Sequence, residues 1–151
     1  MKVRDVMTAN PVCCLPTDSA RSVAALLRDH NVGSLPVVSN KETRVLVGMI
    51  TDRDLCCSVI AGGHDPKNTA IDKIFSRDTV TCRDGENIEK CERAMQEHQV
   101  RRIPVVDGAG KCIGIVSQAD LALKEKQPEK VHKTVTEISK PSAGHGVRVA
   151  A

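Results

Sequence analysis

The strongest constraint on this chain is that most of it is written twice. Displaced by 68 positions, residues 3–38 align with 71–106 without a gap. The identities include Val12/Val80, Cys14/Cys82, His30/His98, Val32/Val100 and Pro36-Val37-Val38 with Pro104-Val105-Val106. Conservative pairs such as Val6/Ile74, Thr8/Ser76 and Leu35/Ile103 fill much of the rest. After a two-residue difference in loop length the match resumes at a shift of 66, where Gly48-Met49-Ile50-Thr51-x-x-Asp54-Leu55 lies on Gly114-Ile115-Val116-Ser117-x-x-Asp120-Leu121. Two copies at so long a period predict a pseudo-symmetric pair and exclude a solenoid.

Each copy reads β-α-β-β-α, which makes the fold class α/β (α+β). A short strand, Val12–Leu15 or Val80–Cys82, precedes a helix. Val23, Leu26, Leu27 and His30 then fall at i, i+3, i+4 and i+7, and Ile88, Cys91, Met95 and His98 repeat the stripe, which predicts one buried face. Two β-rich runs follow, Leu35–Ser39 with Val45–Ile50 and Ile103–Asp107 with Cys112–Val116; Asp107-Gly108-Ala109-Gly110 is a turn signal. The second helices begin at Thr51 and Ser117, with stops at Gly62-Gly63 and at Pro128. The expected division is copy one over 1–62, a joint over 63–70, copy two over 71–126, and a loosely held tail over 127–151. That tail has one short helix near 129–139 and adds little to the core.

Composition narrows the function. There is no Trp or Tyr and one Phe, so aromatic base-stacking is excluded and the core is aliphatic. The net charge is +3; the last 25 residues carry four cations against two anions, which leaves +1 for residues 1–126. So neutral a body argues against nucleic acid as a partner. No apolar run is long enough to cross a membrane, and the charged start is not a secretory signal, so the expected location is the cytoplasm. Seven cysteines, odd in number and without a C-x-x-C, read as free thiols and not as a metal site.

The repeated Gly-h-h-Thr/Ser-x-x-Asp segment is the candidate site. Glycine in a strand permits close approach of a ligand. The Thr51 or Ser117 hydroxyl sits where strand turns to helix, a place that favours phosphate. Asp54 or Asp120, three residues on, lies on the same side and can accept from a ribose diol. The same spelling is also a capping box, which stabilises a helix and binds nothing. Arg101-Arg102 in copy two stand where copy one has Gly33-Ser34, and a guanidinium fork suits phosphate; Arg53 is a second cation of this kind. His30 and His98 read as helix-end residues, and His64 as part of a solvated turn. No catalytic constellation can be assembled, so an enzyme is not expected and no catalytic cofactor is needed.

These motifs, with V-x-x-L-P-V-V over 32–38 and V-R-R-I-P-V-V over 100–106, resemble a tandem CBS-domain pair, or Bateman module, across residues 3–126. The likeness is greatest to small stand-alone bacterial members, often tied to stress or hypoxia. The resemblance implies two units about a pseudo-twofold axis with clefts between them for adenine nucleotides (AMP, ADP or ATP). One cleft would combine Thr8 and Val12 with Arg101, Ser117 and Asp120. The other would combine Ser76, Thr79 and Val80 with Thr51, Arg53 and Asp54. Backbone near Val12 and Val80 would meet the adenine edge, and Ile50 or Val116 its face. The resemblance also implies a homodimer and a regulatory role, the bound state being relayed to a downstream protein. The alternative is a ligand-free homodimeric stress or scaffold protein.

Overall fold

Two aliphatic runs per copy, each broken by a turn, build the hairpins on which everything else rests. In the computed structural model, described over residues 1–141, β2 (Ser34–Val38) pairs antiparallel with β3 (Leu46–Thr51) and β5 (Arg102–Val106) with β6 (Cys112–Ser117). The registers coincide: Leu35 faces Ile50 as Ile103 faces Val116, and both hairpins slip at the same step, Val37/Val38 and Val105/Val106. Asp107 closes the second turn by accepting the amides of Ala109 and Lys111 through Oδ1 at 2.9 and 3.0 Å. Gly110 takes the left-handed φ of 81° that this turn requires.

The described residues form two compact units that cut across the repeats: Met1–Pro11 joins residues 80–141, and Val12–Thr79 forms the other. In the first, the short helix α1 (Val3–Val6) leads into β1 (Thr8–Ala9), which pairs with β6, Thr8 opposite Ile115. With β4 (Cys82–Arg83) parallel to β5, the sheet order is β1-β6-β5-β4. The second unit keeps the same order in reduced form. Ser76 and Met49 exchange both backbone hydrogen bonds at 2.9 Å beside β3, and Cys14 bridges Val37 in parallel beside β2.

The repeated glycine finds its cause here. A Cβ on Gly48 would stand 2.2 Å from the Ser76 carbonyl oxygen and 2.6 Å from the Phe75 ring; on Gly114 it would stand 2.4 Å from Met7 Sδ. What approaches the strand closely is the chain's own lead-in segment.

Helices α2 (Ala20–Asp29), capped by Ser19, and α4 (Ile88–His98) cover the hairpins. The two cores are copies of one another: Val23, Leu27, Leu35, Val37 and Ile50 in one unit answer to Cys91, Met95, Ile103, Val105 and Val116 in the other. The lead-in supplies the remainder, Val3 and Val6 in the first unit and Ile71 and Phe75 in the second. His30 and His98 depart from the expected stripe: both are exposed, one as the C-cap of α2 and the other as the last residue of α4.

The second helices diverge more. In copy one a single turn, α3 (Asp52–Asp54), widens into π geometry over Leu55–Ile60, with the Ala61 amide reaching Cys56 O and His64 reaching Val59 O. Gly63 ends it at φ 71°. In copy two α5 (Gln118–Lys124) stops before Pro128, which instead opens α6 (Pro128–Ser139) as its first residue. This helix is more firmly held than the sequence reading of the tail supposed. Thr134 and Ile138 are buried against α4, Gln96 donates to Thr134 Oγ1 at 2.8 Å, and Gln99 donates to Lys140 O at 2.8 Å. Under it Glu92 is buried with Oε1 unpartnered; burial first, then the charge of Glu125, pushes its carboxyl above the usual range. Residues 142–151 of the expected tail lie outside the described residues.

Gly48→Ala is expected to cost about 1–3 kcal/mol, as for overpacking of a closed contact. Gly63→Ala, where an added Cβ meets nothing within 4 Å, is expected to cost only the strain of its left-handed backbone. Urea denaturation of the two variants beside wild type measures the difference; equal, small losses would mean that the Gly48 crossing is not tight.

Candidate functional site

Each unit carries the hydroxyl–carboxylate pair at the end of its hairpin, and both pairs form complete capping boxes. In the unit of β2 and β3, the Asp54 amide donates to Thr51 Oγ1 at 3.1 Å and the Thr51 amide to Asp54 Oδ2 at 2.9 Å. In the other, the Asp120 amide donates to Ser117 Oγ at 3.1 Å, and Asp120 Oδ2 accepts the Ser117 amide and hydroxyl at 2.8 and 2.7 Å. The hairpin holds each box, since Gly33 O accepts the Asp52 amide at 3.0 Å and Arg101 O accepts the Gln118 amide at 2.8 Å. These bonds consume first-turn amides that the sequence reading left open for phosphate.

The second oxygen of each carboxylate separates the sites. Asp120 is half-buried, and its Oδ1 accepts a long hydrogen bond, 3.4 Å, from Thr8 Oγ1, which β1 delivers across the chain. Asp54 is fully enclosed, and its Oδ1 has no partner. Loss of water pushes its carboxyl above the ordinary aspartate range against the opposing pull of the Thr51 amide and hydroxyl. Opposite Thr51 on β2, Ser34 is buried with its own Oγ unpartnered; opposite Ser117 on β5 stands Arg102.

The sequence-derived residues sort by unit. Thr8, Arg101, Arg102, Val116, Ser117 and Asp120 share one unit with Val80; Ile50, Thr51, Arg53, Asp54, Ser76 and Thr79 share the other with Val12. Ile50 and Val116 have no exposure, and their side chains are taken up by the cores. Arg53 and the Arg101 side chain are exposed, while Thr79 turns its hydroxyl back to Ser76 O at 3.3 Å. Ser34 was not singled out by spacing; its alignment with Arg102 is the signal that would have found it. Arg77, also not foreseen, stacks over Phe75 at 4.1 Å and pairs with Asp72 at 2.9 Å.

Among the described residues, no group of three or more His, Cys, Asp or Glu is placed to hold a metal ion. Cys14, Cys82, Cys91 and Cys112 are buried, with the Cys14 thiol pushed up to about 12 chiefly by that burial, whereas Cys56 and Cys57 are exposed on the π-helix. No described helix is long and apolar enough to cross a membrane.

A duplicated β-hairpin with a capped helix behind it, crossed by the lead-in segment, defines a paired α/β domain. The chain belongs to the CBS domain family, whose model matches residues 3–60 and 71–125. It is 35% identical over 137 residues to the CBS domain-containing protein YhcV of Bacillus subtilis, covering 91% of this chain and 94% of that one. Among solved structures it resembles the CBS domain pair of protein MJ0100 in complex with 5′-methylthioadenosine and S-adenosyl-L-methionine (27% identity, TM-score 0.72, 82% of this chain and 94% of that one). It also resembles CBSX2 in complex with AMP (26% identity, TM-score 0.68, 92% and 98% of the two chains).

The direction of the Asp54 shift fixes a pH dependence. A carboxyl raised by burial favours the folded state while protonated, so its contribution is complete at acid pH and is lost as pH rises through the elevated value. Asp54→Asn is therefore expected to gain stability relative to wild type between about pH 4 and about pH 7. Denaturation midpoints of the two proteins across that range check it, and a constant difference would contradict it.

Proposed function

We propose that this chain is a regulatory module that binds adenine nucleotides and passes the bound state to another protein. The observation that carries the reading is the Thr8–Asp120–Ser117 cluster with Arg102 in cross-strand register. It combines a carboxylate able to accept a ribose diol, two hydroxyls and a guanidinium suited to phosphate. Complexes of MJ0100 with two adenosine derivatives and of CBSX2 with AMP support it. Coupling of this kind is typically worth about 1–3 kcal/mol between sites. A CBS pair fits a regulatory role, and the sequence spells no catalytic constellation.

A second reading, a ligand-free scaffold, draws on the completeness of both capping boxes, which account for the hydroxyls and carboxylates as helix caps. The two readings part on one variant. Asp120→Ala is expected to weaken AMP and ATP binding by about 1–3 kcal/mol, as for loss of a charged hydrogen-bonding group. Capping alone predicts a stability loss of up to about 1 kcal/mol and no change in a binding that does not exist. Calorimetric titration of both proteins beside their melting temperatures decides; no heat from wild type with either nucleotide leaves the scaffold.

We also read the chain as a homodimer working in the cytoplasm. Ile60 and Leu123, on the second helix of each copy, are 65% and 84% exposed, which supports self-association through those helices. Light scattering at micromolar concentration is expected to return twice the 16.3 kDa chain mass; a monomer mass would refute it.

A further inference from the structure

The repeat shows which side chain is out of place on α4. Displaced by 68 positions, Val23, Ala24 and Leu27 on α2 correspond to Cys91, Glu92 and Met95 on α4. Val23 and Leu27 are buried, as Cys91 and Met95 are, but Ala24 is exposed whereas Glu92 is only 5% exposed. A hairpin and its covering helix thus leave this position open to water in copy one. In copy two α6 packs on α4 and closes it, and copy one has no counterpart to that helix. The burial of Glu92 is therefore a product of docking.

A carboxylate is costly to cover unless it is paired, and Glu92 Oε1 has no hydrogen-bond partner. The charged groups that face it are Glu125 from the α5–α6 connection, Lys130 from α6 and Glu89 from α4 itself. Lys130, the cation of the three, is already taken by Glu89 at 2.5 Å. Loss of water and the charge of Glu125 together favour the neutral carboxyl. The rest of the seam is mostly polar. Beyond buried Thr134 and Ile138, it consists of the Gln96–Thr134 hydrogen bond, the bonds from Gln99 to the carbonyls of Glu137 and Lys140, and the Lys130–Glu89 pair at the surface. A surface ion pair contributes little, and a seam with so little apolar area opens more readily than the core beneath it.

We propose that α6 is a proton-operated strap: it lies docked on α4 while Glu92 holds a proton and is let go when Glu92 ionises, which bares the covered face of α4. Docking raises the affinity of this carboxyl for a proton, so the proton in turn strengthens docking. The gain is complete below the ordinary glutamate value of about 4.3 and is lost as pH rises through the elevated one. Glu89 acts in the opposite sense. Lys130 holds its carboxyl below the usual range, so that their pair breaks only at more acid pH.

Amide hydrogen exchange of the full chain, expressed as protection factors so that the intrinsic pH dependence of exchange divides out, tests the strap. Protection of residues 132–139 is expected to fall at least fivefold between about pH 4.5 and about pH 7.5, while that of β5 and β6 in the same unit stays within twofold. Glu92→Gln keeps the shape and removes the charge. It is expected to hold residues 132–139 at their acid-pH protection across the whole range, within twofold. Glu92→Ala, which removes the carboxyl altogether, is expected to be equally flat, so the test survives if either variant folds poorly. A fall of the same size in a well-folded Glu92 variant, or wild-type protection that does not change with pH, would overturn the proposal. So would a parallel fall in β5 and β6, which would mean that the whole unit opens and not the strap.

Discussion

The structure depends on a crossing with no room for a side chain. At Gly48 and again at Gly114 the lead-in segment of a copy runs against a hairpin strand so closely that a Cβ would fall within 2.4 Å of the crossing atoms. The crossing adds a further row of backbone hydrogen bonds to each hairpin and seals the open side of each core with Val3 and Val6 or Ile71 and Phe75. It also sets Thr8 beside Asp120. One packing requirement thus serves the sheet, the core and the site.

On that shared frame the copies have separated in their polar groups. Buried apolar positions match almost residue for residue, because a close-packed interior tolerates little change in volume. Positions at the strand ends and helix starts are under no such restraint, and there Ser34 and Arg102, or Asp52 and Gln118, have gone different ways. The second helices show the same freedom. One is a capped turn running into a π-helix with two exposed cysteines, and the other is a short α-helix followed by a docked helix that covers Glu92.

The hairpins, the covering helices and both cores were legible because their evidence is local: alternation, a helical stripe and turn residues, each seen twice. The capping boxes at Thr51 and Ser117 were legible for the same reason. Gly48 was read as room for a ligand, and the structure gives that room to Ser76 and Phe75, a contact that spacing alone does not reveal. The stripes extend one position too far, to His30 and His98, since periodicity marks a face and carries no information about where along the helix its burial stops. The docking of α6 escaped for a related reason. Its buried face is led by Thr134 and Ile138 and held by glutamine hydrogen bonds, a polar seam with a weak apolar signature. The bare oxygens of Ser34 and Asp54 are properties of enclosure, which only three dimensions supply.

The exchanged lead-in also orders events in time. Residues Val12–Thr79 are contiguous, so that unit can close as soon as it has been synthesised. The other unit is split: Thr8 must wait for Ile115, and Val3 and Val6 for the helix and hairpin made after Val80. Residues 3–9 are therefore made well before the elements they pack on, and the nascent chain carries an unpaired strand until residues 112–117 have been added.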